Sequence, residues 1–261
     1  MSANRDKSQG FIFYYDQNLQ PGDIILTSDD TITSAIIKST TGGNFSHAMM
    51  MINKLSYIHA IIGGVRTKNI QRLRVLTPKH IAALRLKNKS NKLNEIVNSA
   101  LKDIAKPYSI SNAINAKFKI PIYFESLDSK RYCSQLIALA YKEAGINLVN
   151  DPYHCTPNEI KNSSLLEIIE LKLTPISEIH DKNYLSQLDS NDPNEELHNI
   201  TASALDKVTK LTGKTFSSAD VISFLKENYQ FDECITKIFI DEGYFSHYLT
   251  HKNGRFSYRR S

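Results

Sequence analysis

Two apolar runs of strand length, Ser46–Ile52 and Tyr57–Ile62, flank the short connection Asn53-Lys54-Leu55-Ser56, and Gly63-Gly64-Val65 ends the pair. Such runs bounded by turn residues predict a β-hairpin. Strand side chains alternate between faces, so His47, Met49 and Met51 share one side and Ala48, Met50 and Ile52 the other. On the second strand His59 goes with Tyr57 and Ile61. Turn length then decides the chemistry. An odd-length turn such as Asn53-Lys54-Leu55 puts His47 and His59 on one face, and an even one separates them.

Around the hairpin the chain reads as short elements. Pro21-Gly22-Asp23 is a turn leading into a buried strand at Ile24-Ile25-Leu26-Thr27. Thr31–Lys38 reads as a short helix, and Ala82–Leu86 as a further strand. Asn91–Ala105 has Leu93, Ile96, Val97, Ala100, Leu101 and Ile104 at helical spacing, with Lys106-Pro107-Tyr108 as its stop. A second helix opens at Cys133 and ends at Gly145. The polar stretch 185–196 reads as a linker between a domain over 1–184 and a helical module over 197–261. Helices are expected at Ile200–Leu211, Ser218–Asn228 and Phe231–Asp241.

Bulk properties narrow the field. The formal charge of +5 over 261 residues is mild and its Lys and Arg are scattered, so no nucleic-acid partner is expected. Cys133, Cys155 and Cys234 are too few for a disulfide framework. No run approaches the roughly 20 apolar residues of a transmembrane helix, and no apolar h-region follows Met1-Ser2-Ala3-Asn4-Arg5. The expectation is a cytoplasmic protein, or one secreted without a cleaved signal peptide.

Cys133 is the candidate nucleophile. A helix N-terminus lowers a thiol's pKa through its dipole and unpaired N–H groups, and those groups can also hold the oxyanion formed after attack on a carbonyl. His47 is the candidate base, and His59 the group that orients it. Taken singly, each has a plainer reading, as a small core residue or a structural strand histidine. Cys155 and Cys234 read as structural. His47, His59 and Cys133 are ligand types that suit zinc, but no close-spaced ligand pair exists, so no metal and no cofactor are expected.

Taken in order, Pro21-Gly22-Asp23-Ile24-Ile25-Leu26, Phe45-Ser46-His47-Ala48, Ile58-His59-Ala60 with Gly64-Val65, Lys106-Pro107-Tyr108, Tyr132-Cys133-Ser134-Gln135-Leu136 and Thr156-Pro157 resemble the YiiX/YebB-like branch of the circularly permuted NlpC-type papain-like cysteine hydrolases. The resemblance covers roughly residues 20–165. It implies an α+β fold in which a small antiparallel sheet presenting histidine packs on a helix presenting cysteine. It implies hydrolysis through an acyl-thiol intermediate, with Cys133 as nucleophile, His47 as base and His59 in the third position. Glutamate would be expected in that third position, and also where Gln135 stands. Ser46, Tyr108 and Tyr132 fall where substrate would be contacted.

The expected function is a cysteine amidase acting on a cell-wall-type peptide, in the manner of a bacterial effector or toxin. The rivals are a lipid acyl hydrolase or acyltransferase, and a non-catalytic interaction protein on a hydrolase fold. The C-terminal helices are expected to support binding of substrate or of a protein partner and to supply no catalytic group, the plainer alternative being that they cap the hydrolase core.

Overall fold

The computed structural model describes residues 9–14, 18–28, 44–61, 64–88, 90–106, 131–188, 193–214, 216, 221, 224, 228, 230 and 232–242. The strands are β1 (Phe11–Ile12), β2 (Ile24–Thr27), β3 (His47–Met51), β4 (Ser56–Ile61), β5 (Gly64–Asn69), β6 (Ile81–Leu86), β7 (Leu166–Ile169) and β8 (Thr174–Pro175). The helices are α1 (Leu93–Lys102), α2 (Cys133–Glu143), α3 (Pro157–Lys161), α4 (Lys182–Leu188), α5 (Pro193–Thr212) and α6 (Asp232–Asp241). Six strands form one antiparallel sheet in the order β5-β4-β3-β2-β6-β7, and β1 pairs separately with β8.

Both faces of this sheet are covered, which is why β3 reads as an almost unbroken apolar run. On one face Ile24, Leu26, Ala48, Met50, Ile58 and Ala60 pack against Leu136, Ile137, Ala140 and Tyr141 of α2. On the other, Ile25, Met49, Met51 and Tyr57 pack against Phe13, Leu19, Ile70 and Val75. The Met49-Met50-Met51 run therefore serves both cores, and all three side chains are buried.

The Pro-Gly-Asp turn has a structural explanation. Asp23 is buried, and its carboxylate takes Arg85 Nε at 2.8 Å, Arg85 Nη2 at 2.7 Å and the Gln20 N–H at 2.7 Å. A buried carboxylate is tolerable only when paired and hydrogen-bonded in this way. Gly22, at φ +89°, offers its carbonyl to the Tyr141 hydroxyl of α2. The turn thus ties the sheet to the helix that carries Cys133.

Several elements depart from the sequence reading. Gly63-Gly64-Val65 does not end the hairpin, because Gly64 begins β5, which pairs along β4 from Ile61↔Gly64 to Ser56↔Asn69. Val65 and Thr67 alone turn inward between Arg66 and Lys68, too weak a pattern to announce a strand. Helix α1 ends at Lys102 rather than Ala105, because Ala105 has a φ of 68°. The chain then pairs with β5, with Ala105 N donating to Val65 O at 3.0 Å and Val65 N to Lys106 O at 2.9 Å. The expected linker over 185–196 is helical at both ends, in α4 and at the start of α5. Pro193 opens α5, where a missing N–H costs nothing. The C-terminal helices share a small core of Leu205, Val208, Phe216, Val221 and Ile235, and α5 packs against β5. The expected helix over Thr31–Lys38 and most of that over Ser218–Asn228 lie outside the described residues.

Candidate active site

Cys133 is the first residue of α2. The chain reaches it in extended conformation at Tyr132 (φ −121°, ψ 169°), and three neighbours hold the helix start in place. Arg131 is buried, with Nε 2.5 Å from Asp103 Oδ2 at the end of α1. The Tyr132 hydroxyl donates to Tyr153 O at 2.9 Å, and the Ser134 hydroxyl to Cys155 O at 2.7 Å. Tyr132 makes no side-chain cap bond. The backbone at Ala48, Ser134 and Cys133, together with the Ser134 side chain, favours the ionised form of the thiol.

Ala48 packs in the same core as α2. Ala48 follows His47 in β3. The β3–β4 ladder pairs Met50 with Ile58 and Met51 with Tyr57, although β3 begins at His47 and β4 runs on to Ile61. Beyond that ladder β3 remains paired with β2, at Thr27↔His47 and Leu26↔Ala48.

His47 and His59 do share a face. The connection between the strands is the odd one, with Ile52 N bonded to Ser56 O at 2.9 Å around Asn53-Lys54-Leu55. His47 Nε2 lies 3.1 Å from His59 Nδ1, and the rings meet edge to face at 5.3 Å between centroids. Tyr57 stacks edge to face on His59 at 5.1 Å. By strand parity this is the face of Met49 and Met51, whereas α2 lies on the opposite one. The helix that carries Cys133 and the histidine rings therefore belong to opposite faces of the sheet, a placement that the hydrophobic pattern did not foretell.

Burial works against the thiolate expected at a helix N-terminus. Cys133 is 6% exposed, and desolvation pushes its thiol above the ordinary value, with the backbone hydrogen bonds pulling the other way. Cys155 is also buried and its thiol is likewise raised, chiefly by desolvation, while Cys234 is exposed.

The expected contact residues fall differently. Tyr132 is buried with its hydroxyl on Tyr153, and Ser46 is buried beside His47 with its N–H on Thr27 O at 3.0 Å. Tyr108 lies outside the described residues. Gln135 is fully buried, and among the described residues its amide atoms have no hydrogen-bond partner. Among the described residues no group of three His, Cys, Asp or Glu is arranged to hold a metal ion, and no helix is long and apolar enough to cross a membrane.

Residues 18–153 match the family described as permuted papain-like amidase enzyme, YaeF/YiiX, C92 family. The chain belongs to this family. Its segment spans the hairpin, α1 and the cysteine helix, and stops before α3 and the C-terminal helices. Five chains of known structure match. One is metalloprotein yiiX from Escherichia coli O157:H7, with 15% identity and a TM-score of 0.41, covering 60% of this chain and 99% of that one. No curated protein matches. Membership supports an amidase-type hydrolase and a permuted papain-like fold.

Sequence reasoning missed the supports around the site: Asp103 with Arg131, Tyr153 with Tyr132, and α3. Of these, α3 left a readable signal. Thr156-Pro157-Asn158-Glu159 is a capping box with proline at the first helical position, and both reciprocal bonds form.

Proposed function

We propose that this protein is a cysteine amidase in which Cys133 is the nucleophile, His47 the general base and His59 the group that orients His47. What supports the reading is that β3, which carries His47 with its Nε2 engaged by His59 at 3.1 Å, packs against the helix that opens at Cys133, in a chain of the amidase family. With Nε2 so engaged, the proton from Cys133 goes to His47 Nδ1. Because burial keeps the resting thiol protonated, His47 takes that proton as sulfur attacks, and no thiolate need be stored beforehand.

Sulfur adds to the amide carbonyl carbon, and the first-turn N–H groups of α2 steady the developing oxyanion. The C–N bond then breaks, and the amine leaves with the proton from His47. Water, deprotonated by His47, attacks the thioester, releasing the acid and returning the proton to sulfur. The substrate we favour is a cell-wall-type peptide, with the protein acting as a bacterial effector or toxin.

The test is mass spectrometry after incubation with peptidoglycan fragments and, separately, phospholipids, comparing wild type with Cys133→Ala. Peptide cleavage by wild type alone is expected. Cleavage of phospholipid alone would move the reading to a lipid acyl hydrolase. No turnover of either would favour an interaction protein on a hydrolase fold.

A further inference from the structure

The segment Cys155–Asn158 touches both halves of the site. At one end the Cys155 carbonyl receives the hydroxyl of Ser134, the residue after Cys133, at 2.7 Å. At the other, the Asn158 side chain takes the Phe45 N–H on Oδ1 at 3.3 Å and gives an N–H from Nδ2 to Phe45 O at 3.0 Å. Phe45 is two residues before His47. Its peptide is thus paired with a side-chain amide as a neighbouring strand would pair it.

The stretch between the two anchors is stiff. Glu159 N donates to Thr156 Oγ1 at 3.2 Å, Thr156 N donates to Glu159 Oε2 at 2.7 Å, and Pro157 is buried. Lys161, one turn on, stands 5.2 Å above the Phe45 ring. Cys133 belongs to a helix, whereas His47 is held in the sheet by β2 at Thr27↔His47 and lies outside the β3–β4 ladder, so the separation of the two depends on the contacts that tie helix to sheet.

We infer that Cys155–Asn158 is a clamp that sets the separation of Cys133 and His47, with Asn158 as its positioning residue. This rests on the proposed pairing of those two groups. Asn158 touches no reacting atom in this scheme. It fixes the backbone that delivers His47, and a displacement of about 1 Å at a reacting pair is enough to cost on the order of 100-fold.

The test uses the full chain and iodoacetamide. Alkylation rates of Cys133, Cys155 and Cys234 are read by peptide mass spectrometry between about pH 5 and 10, a range that spans ordinary imidazole and thiol titration. Wild type, His47→Ala, Asn158→Ala and Asn158→Asp are compared. In His47→Ala the neutral-pH rate at Cys133 is expected to fall. Asn158→Ala is expected to reproduce that fall by about 10-fold or more, with the same change in pH profile and no change at Cys155 or Cys234. Asn158→Asp, which keeps the acceptor for Phe45 N–H and loses the donor, is expected between the two.

If His47→Ala leaves Cys133 unaffected, the catalytic pairing itself fails. If His47→Ala slows Cys133 while Asn158→Ala matches wild type, the clamp is overturned and the pairing survives. Faster labelling of all three cysteines in Asn158→Ala means general loosening and also overturns it. Should Asn158→Ala not fold, Asn158→Asp carries the same comparison, and a wild-type profile there rejects the clamp.

Discussion

His47 Nε2 and His59 Nδ1 lie 3.1 Å apart although 12 positions separate the two residues in the chain. A nitrogen-to-nitrogen hydrogen bond at that distance holds one proton between two rings, so each fixes the tautomer of the other. His47→Ala is expected to lower turnover by about 100- to 10,000-fold, the usual range for loss of a general base. His59→Ala is expected to lower it less, by about 10-fold, because an orienting group acts through the base. Steady-state kinetics on the substrate found by mass spectrometry decides, and full activity in His59→Ala would remove it from the mechanism.

The three thiols should separate by burial. Cys234 is exposed, whereas Cys133 and Cys155 are buried with raised pKa values. In native protein at neutral pH, iodoacetamide should label Cys234 first and Cys155 last, with Cys133 between them through the proposed action of His47. A thiol at a helix N-terminus would, by position alone, have been expected to react first. Labelling of Cys133 ahead of Cys234 would mean that the dipole outweighs desolvation after all.

Those raised thiols also set a pH dependence of stability. Above the ordinary thiol value of about 8.5 the unfolded chain releases protons that the folded chain retains, so stability falls as pH rises. Each retained proton lowers stability by about 1.4 kcal/mol per pH unit until the folded thiol titrates. The thermal midpoint should therefore drop between about pH 8.5 and 10, and Cys155→Ala should flatten that drop. An unchanged slope in Cys155→Ala would refute the assignment.

Asp23→Ala leaves Arg85 beside a buried, empty carboxylate position. Removing one partner of a buried ion pair destabilises by about 3–5 kcal/mol, and the partial exposure of Arg85 points to the lower end. Urea denaturation would measure it. A loss below about 1 kcal/mol would mark the pair as an ordinary surface contact.

Gly64 tests the recruitment of the α1 terminus to β5. Its φ is +99°, and a Cβ there would sit 2.8 Å from Lys106 O. Gly64→Ala should destabilise by about 1–3 kcal/mol through backbone strain alone. It should also speed amide exchange at Val65 and Ala105, whose N–H groups close that pairing. Normal exchange at both would show that the strand end adapts without separating.

What could be read from the residues was what neighbours in sequence decide. The hairpin that carries His47 and His59 follows from a period of two, whereas the length of its connection, which puts both rings on one face, was left open, and α2 follows from helical spacing behind Cys133. The capping box at Thr156 and Glu159 is equally local. Tertiary structure decided the rest. It recruited Ala105 and Lys106 to β5, where Val65 and Thr67 alone gave too little alternation to announce a strand. It made helices of the ends of a polar stretch that read as linker. It put α2 on the sheet face opposite the histidine rings. It also raised the Cys133 thiol, because the dipole of a helix start is written in the sequence, whereas burial depends on every segment that folds around it.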